Sequence, residues 1–261
     1  MQKLTYIKRY FQYRWNSRSS FGVHPPFLFD LVTEVFENNK INEDYLQLEA
    51  LKQKLMKDQG IIPVTDLGAG TTSGLGSNRR ISYIARTSSK PAKYGRLLYR
   101  LSEYFKPATI LELGTSLGFS SAYLALGNPS SKVITIEGCP NIAKLAQSNF
   151  NQLNIQNIHL VTGNFDEKLP AILNELQRID FVFIDGNHKE EPTINYFEQC
   201  LSKADNETVF IIDDIHWSEG MENAWNKASN HPLVTLSIDL FSMGIIFIKK
   251  ELTKQHFIIR F

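Results

Sequence analysis

The chain has 261 residues, of which 43% are hydrophobic, and its formal net charge is +1. A chain of this length and composition can bury a full hydrophobic core. The near-zero charge gives no whole-chain attraction to nucleic acid or to an anionic membrane, so neither partner is expected. The two cysteines, Cys139 and Cys200, form no CxxC pair. This spacing argues against a disulfide framework or a cysteine-rich zinc site and suits a reducing compartment.

No apolar run approaches the roughly 18 residues that a membrane span needs, and the first residues lack the apolar stretch of a signal peptide. A soluble, cytoplasmic protein is therefore expected. The charge is unevenly distributed, however, because residues 1–29 contain five basic residues and no acid. Residues 79–106 are similarly basic. Such segments are typical of solvated helix faces, or of a rim that attracts an anionic small molecule.

Residues 1–90 show helical periodicity in three pieces, near 3–14, 26–38 and 44–58. Residues 66–76 are rich in glycine, serine and threonine and predict a loop. No strand of any length is expected in this part. We therefore predict a helical cap over residues 1–90, followed by a domain over residues 91–261 that opens with an amphipathic helix through Phe105.

From residue 107 onward, short apolar runs alternate with helical patterns, which is typical of a buried parallel sheet with helices on both faces. After a last helix near 217–229, the segments 233–239 and 243–249 predict an antiparallel pair. The expected fold is α/β and Rossmann-like, with seven strands: five parallel strands and a C-terminal antiparallel hairpin. The predicted parallel strands lie near 108–113, 132–137, 157–162, 179–184 and 207–213.

The most informative feature is a glycine-rich turn between a predicted strand and a predicted helix. Gly114 and Gly118 enclose Ser116, Glu112 precedes the turn, and Glu137 closes the next strand. A strand, a glycine-rich turn, a helix and a strand that ends in a carboxylate form a unit that binds an adenosine-containing cofactor. The glycines let the backbone approach the ligand, and the carboxylate can accept hydrogen bonds from both ribose hydroxyls.

The same turn also satisfies G-x-S-x-G, the nucleophile elbow of α/β-hydrolases, in which Ser116 would be the nucleophile. The later acids and histidines that could complete a triad are Asp185, Asp213, Asp214, His231 and His256. The strands and the oxyanion loop that precede such an elbow are missing from the pattern, and a hydrolase gives Glu112 and Glu137 no role. A nicotinamide-binding turn is disfavoured, because Ser116 stands where G-x-G-x-x-G needs its second glycine.

Glu112-Leu113-Gly114 with Gly118, and Glu137 nineteen residues after Gly118, resemble motif I and the following acid of the class I S-adenosylmethionine-dependent methyltransferases. The resemblance covers roughly residues 91–250. It implies that the turn contacts the amino-acid part of S-adenosylmethionine and that Glu137 binds its ribose. The cofactor-binding residues that it implies by position are Glu112, Gly114, Thr115, Ser116, Gly118 and Glu137.

Two later strand ends extend the resemblance. Asn164, Phe165 and Asp166 follow the third strand, where this family contacts the adenine. The fourth strand leads into Asp185, which resembles the strand-end aspartate of the catechol and caffeoyl-coenzyme-A O-methyltransferase branch. That resemblance implies roles for Asp185 in cofactor binding and catalysis. The branch has a catalytic lysine three residues later, whereas this chain has His188.

The same branch completes a divalent metal site after the fifth strand, where this chain has Asp213 and Asp214. Together with Asp185 they would offer three carboxylates to Mg²⁺ or another hard divalent cation, which would hold an acceptor hydroxyl and lower its pKa. His188 could accept the hydroxyl proton as a general base.

The segment 21–27 with the 66–76 loop resembles an uncharacterised bacterial subgroup of these methyltransferases with an N-terminal helical cap. The expected function is S-adenosylmethionine-dependent methyl transfer to an oxygen of a small-molecule acceptor, anionic or aromatic, with divalent-metal assistance as an option. The alternatives are a serine hydrolase that uses Ser116 and a protein that binds the cofactor without catalysis. A homodimer is compatible with the sequence.

Overall fold

The structure is a computed structural model that describes residues 2–19, 25–65, 78–88 and 90–261. The predicted loop at 66–76 and most of the motif at 21–27 lie outside the described residues. The chain divides into two compact units, a continuous unit of residues 39–172 and a two-segment unit of residues 1–38 and 173–261. This division does not follow the boundary predicted at residue 90.

The helices and strands alternate along most of the chain. In chain order they are α1 (Gln2–Asn16), α2 (Pro26–Leu31, continued by a π-helical turn Val32–Phe36), α3 (Glu43–Leu55), β1 (Ile61–Pro63), β2 (Asn78–Arg80), α4 (Ile81–Thr87), α5 (Ala92–Phe105), β3 (Thr109–Leu113), α6 (Phe119–Gly127), β4 (Lys132–Glu137), α7 (Pro140–Gln152), β5 (Ile158–Thr162), α8 (Phe165–Glu175), β6 (Ile179–Ile184), α9 (Glu190–Leu201), β7 (Ala204–Asp213), α10 (Glu219–Ser229), β8 (Leu236–Asp239), β9 (Met243–Phe247) and β10 (Gln255–Ile258).

The continuous unit contains a parallel sheet of three strands, in which β4 pairs with β3 on one side and with β5 on the other. Every residue of β3 after Thr109 is buried, and so are the four central residues of β4. Apolar runs of this kind are typical of parallel strands that are covered on both faces. The predicted strand–helix alternation is confirmed here.

The N-terminal part of the continuous unit departs from the prediction of a purely helical segment. β1 and β2 pair antiparallel, with Ile61 opposite Arg80 and Pro63 opposite Asn78, and α4 follows β2 directly. Three residues are too few for a period-two pattern to be recognised. The expectation that residues 1–90 carry no strand was therefore wrong, and α4 was missed.

Helices α3 and α4 pack against the glycine-rich turn that precedes α6 and against the start of α7. Buried residues of both helices share one hydrophobic cluster with Leu117 in the turn and with Cys139 and Ile142 at the start of α7. The backbone N–H of Thr65 donates to Cys139 Sγ at 3.3 Å, and Asn141 donates to the Pro63 carbonyl at 2.9 Å. Helices α3 and α4, which precede the sheet in sequence, therefore help to hold the turn in place.

The described residues of the two-segment unit form five strands. β6 pairs in parallel with β7, β9 runs antiparallel between β7 and β8, and β10 adds in parallel to β8. The predicted antiparallel hairpin is thus confirmed as β8–β9. The five strands here and the three of the parallel sheet make eight, one more than the seven predicted, because β10 was not recognised; β1 and β2 form a separate pair.

Helix α1 is held to the end of the chain within the two-segment unit. The Tyr13 hydroxyl donates to the Ile259 carbonyl at 2.6 Å and accepts from the Phe261 N–H at 3.0 Å. The Arg18 N–H donates to the Ile258 carbonyl at 2.8 Å. Among the described helices, none is both long and apolar enough to cross a membrane.

Candidate functional site

The glycine-rich turn after β3 has a backbone that ordinary residues rarely adopt. Gly114, Ser116 and Gly118 have φ values of 108°, 48° and 83°. The N–H groups of Gly114 and Thr115 both donate to the Ile136 carbonyl in β4, at 3.0 and 3.2 Å. The turn is therefore fixed to the neighbouring strand and leads directly into α6.

Glu137, at the end of β4, ties the same turn to the start of α7. Its Oε2 accepts from the Ser116 N–H, and its Oε1 accepts from the Cys139 N–H, both at 2.8 Å. The side chain is half-buried. Because a carboxylate oxygen can accept more than one hydrogen bond, these contacts leave capacity for a ligand hydroxyl. The structure therefore places the strand-end carboxylate of Glu137 against the glycine-rich turn.

Glu112 lies behind the turn rather than on its open side. Its side chain is fully buried, and its Oε2 accepts from the Thr135 hydroxyl at 2.6 Å and from the Ser121 hydroxyl. Thr135 is in turn 2.6 Å from the Thr115 hydroxyl. Burial raises the pKa of Glu112 to about 7, although hydrogen bonds from nearby hydroxyls lower it in part. Glu112 thus supports the turn from within the core.

The exit of β5 is organised by Asn164. The Gly163 N–H donates to the Glu137 carbonyl at 2.9 Å, which places this exit beside the end of β4. The Asn164 side chain accepts from the Asp166 N–H at 3.1 Å, so it caps the first turn of α8. Phe165 is half-buried and Asp166 is exposed. All three residues predicted to contact the adenine therefore lie next to the Glu137 strand end.

One residue that the sequence did not single out also reaches the turn. The Ser116 hydroxyl donates to the Ser88 hydroxyl at 2.9 Å, just after α4. Because α4 was missed, nothing in the sequence pattern could place Ser88 there.

A second group of predicted residues lies within the two-segment unit. Ile184 of β6 is in register with Ile212 of β7, so Asp185 and Asp213 both lie at the carboxyl end of this strand pair. Asp213 is fully buried, whereas Asp185 and Asp214 are half-buried. His188 Nε2 is 3.8 Å from Asp185 Oδ1. His188 and Asp214 have left-handed backbones, with φ of 24° and 54°, so both strand exits turn sharply.

The described part of the chain contains no group of three or more histidine, cysteine, aspartate or glutamate side chains placed to hold a metal ion. Asp185, Asp213 and Asp214 share a strand end, but their side chains do not converge as a ligand set. No step of a reaction is therefore assigned to a metal.

The segment after Asp214 is fastened by His216, which was not predicted as a site residue. Its ring nitrogens lie 3.0 Å from Glu222 Oε1 and 2.7 Å from Asp239 Oδ2, and Glu222 also pairs with Arg9 of α1 at 2.6 Å. Burial lowers the pKa of His216, but its hydrogen bonds and attraction to Asp239 and Glu222 outweigh burial, so this pKa lies above its ordinary value. These partners are far apart in sequence, which is why the pattern did not reveal them.

The hydrolase alternative finds no support in the contacts of its proposed members. Ser116 bonds to another serine through its hydroxyl. His256 Nδ1 is 2.8 Å from the Ser237 hydroxyl, and His231 Nε2 is 3.5 Å from Glu198. The two candidate histidines are thus each engaged with a residue of their own unit.

Comparisons with known proteins support the interpretation of the glycine-rich turn as part of a methyltransferase domain. Residues 111–215 match the family Methyltransf_24, described as a methyltransferase domain. A catechol O-methyltransferase of Niastella koreensis is 29% identical over 124 residues, which are 46% of this chain and 55% of that protein. A catechol O-methyltransferase of Mycobacterium tuberculosis is 29% identical over 126 residues, 48% of this chain and 56% of that protein. The chain thus spans just over half the length of these curated relatives.

Solved structures share the fold. An O-methyltransferase of Bacillus cereus in complex with SAH superposes with a TM-score of 0.57 at 19% identity, covering 85% of this chain and 97% of that one. An SAH-bound methyltransferase of Podospora anserina gives a TM-score of 0.60 at 13% identity, covering 86% and 97%. These likenesses support an O-methyltransferase-like member of the class I S-adenosylmethionine-dependent methyltransferases, with the family match itself confined to residues 111–215.

Proposed function

We propose that this protein transfers a methyl group from S-adenosylmethionine to an oxygen of a small-molecule acceptor. The observation that carries the proposal is the left-handed turn of Gly114, Ser116 and Gly118, held by the carboxylate of Glu137 at the end of the next strand. The O-methyltransferase names of the relatives support oxygen as the acceptor atom.

The cofactor would be held entirely within the continuous unit. Its ribose hydroxyls would donate to Glu137, and its amino-acid part would lie against the backbone of Gly114, Thr115, Ser116 and Gly118. Asn164, Phe165 and Asp166 would border the adenine, with the half-buried Phe165 ring offering a stacking face. Glu112 would act indirectly, by supporting the turn through Thr135 and Thr115.

The bound cofactor supplies an electrophilic methyl group on a sulfonium. The chain's part is to orient the acceptor and to remove its proton, and positioning supplies much of the rate in such transfers. We assign proton removal to His188, whose Nε2 lies 3.8 Å from Asp185 Oδ1 at the same strand end. His188→Gln is expected to lower turnover of phenolic acceptors while leaving cofactor affinity unchanged.

Divalent-metal assistance remains a separate hypothesis. Asp185, Asp213 and Asp214 would have to move together to bind Mg²⁺ or Mn²⁺, because their side chains form no ligand set in the structure. Stoichiometric Mn²⁺ binding, followed by the loss of its free electron paramagnetic resonance signal and abolished by Asp213→Asn, would establish the site. Without such binding, proton removal rests on His188 alone.

Titration calorimetry with S-adenosylmethionine and S-adenosylhomocysteine tests the central proposal. We expect both to bind, and Glu137→Ala to weaken both by at least about tenfold, since it removes charged acceptors from the ribose hydroxyls. Glu167→Ala is the control, because Glu167 is an exposed acid in the first turn of the neighbouring α8.

Absence of binding at about millimolar ligand would refute the proposal itself. Unchanged affinity in Glu137→Ala would refute only the ribose assignment. If both ligands bind but no phenolic or carboxylated acceptor is methylated, the alternative of a protein that binds the cofactor without catalysis would be favoured.

A further inference from the structure

Helix α1 has an inner face that fastens it within the two-segment unit. Phe241 lies among three tyrosines of the helix, with ring centroids 5.1 Å from Tyr6, 5.1 Å from Tyr10 and 5.3 Å from Tyr13. On the same side Arg9 pairs with Glu222 at 2.6 Å. The orientation of the helix is therefore set by contacts that leave its opposite face outward.

That opposite face is apolar. Leu4, Ile7, Phe11 and Trp15 are 75%, 49%, 67% and 91% exposed. Their spacings of three, four and four residues place them on one stripe of the helix. Single exposed apolar residues are normal on protein surfaces, but four on one helical stripe mark an interaction surface. At about 1.5 Å per residue the stripe is roughly 16 Å long.

The borders of this stripe are basic. Lys8 and Arg14 are exposed and flank the apolar residues on the helix, one on either side. No acidic residue occurs before Asp30. The whole-chain net charge of +1 therefore does not describe the local charge of residues 1–29, which contain five basic residues and no acid.

We propose that the outer face of α1 docks the protein onto an anionic lipid surface. Leu4, Ile7, Phe11 and Trp15 would enter the boundary between headgroups and acyl chains, and Lys8 and Arg14 would remain among the anionic headgroups. A second copy of the chain fits this face less well. Antiparallel pairing of two α1 stripes would bring the basic borders of both copies together, and like charges would oppose the contact.

Sedimentation of the 261-residue protein with lipid vesicles tests the proposal. We expect binding to vesicles of phosphatidylcholine with about 30% phosphatidylglycerol and much weaker binding to phosphatidylcholine alone. The double variant Phe11→Ser/Trp15→Ser should reduce binding by at least about tenfold. Lys8→Glu/Arg14→Glu should remove the preference for anionic vesicles. The control is Leu233→Ser, an exposed apolar residue of the same unit outside α1.

Tryptophan fluorescence gives an independent readout. In a Trp217→Phe background the emission of exposed Trp15 should shift to shorter wavelength with anionic vesicles, since Trp225, the other tryptophan, is already buried. Absence of vesicle binding at low salt, or binding that survives Phe11→Ser/Trp15→Ser, would overturn the proposal. So would a dimer in sedimentation equilibrium that these two substitutions dissociate, because the face would then serve self-association.

Discussion

Gly118→Ala is expected to lower the free energy of unfolding by about 3 kcal/mol. Gly118 has a φ of 83°, a backbone conformation that alanine adopts only with strain. A Cβ at this position would also lie 2.4 Å from the ring of Phe150, which is fully buried and has no room to withdraw. The backbone strain and the clash with Phe150 both destabilise the folded state, and urea denaturation followed by circular dichroism would measure their sum.

Gly220→Ala is the matched control for this experiment. Gly220 lies in the first turn of α10, and the nearest atom to an added Cβ is 3.6 Å away, an ordinary contact. Alanine in a helix is favoured over glycine, so this variant should be as stable as the wild type or slightly more stable. Equal stability of both variants would mean that the turn after β3 is not left-handed at Gly118. Where Gly118→Ala still folds, we expect weaker binding of S-adenosylmethionine, because the displaced turn carries the N–H of Ser116 away from Glu137.

Glu112→Gln is expected to stabilise the protein by about 3 kcal/mol at pH 8. Burial raises the pKa of Glu112 from 4.5 in the unfolded chain to about 7 in the folded protein. The folded state therefore holds the proton more tightly. The favourable contribution of the protonated group is complete below about pH 4.5 and is lost as the pH rises through 7. Glutamine stays neutral at every pH, so it avoids the cost of a buried carboxylate.

The pH dependence is the decisive part of that measurement. The stabilisation by Glu112→Gln should shrink steadily as the pH falls from 8 to 5. Glu175→Gln, at an exposed position in α8, should change stability by no more than about 0.5 kcal/mol throughout. A destabilised Glu112→Gln at pH 8 would show that the carboxylate charge is needed by the hydroxyls of Ser121 and Thr135.

The features predicted well from the sequence are those encoded within one short stretch. The strand of Thr109–Leu113, the glycines after it and Glu137 at the end of the next strand lie within thirty residues, and periodicity, glycine conformation and a charged strand end act locally there. The same holds for β8 and β9, which are joined by a short turn. Boundaries of these elements fell within a few residues of the observed ones.

Features that depend on distant partners were missed. β10 has four residues and gains its stability by pairing with β8, so its own pattern carries little information. His216 becomes a half-buried hydrogen-bonding centre only because Glu222 and Asp239 are folded against it. Glu112 was predicted to bind the cofactor, but its burial behind the turn depends on hydroxyl groups of β4 and α6. From residue type alone, Glu112 could either contact a ligand or support the glycine-rich turn from within the core.

The contacts that join Tyr13 to Ile259 and Phe261 have a consequence for synthesis. They link residues that are 246 and 248 positions apart, so α1 is synthesised long before its hydrogen-bonding partners. Closing so long a loop is slow, and it cannot begin before residues 259 and 261 have been made. During translation, therefore, both the tyrosine face and the apolar stripe of α1 are open to chaperones. Docking of α1 covers the tyrosine face, whereas the apolar stripe stays exposed in the folded protein.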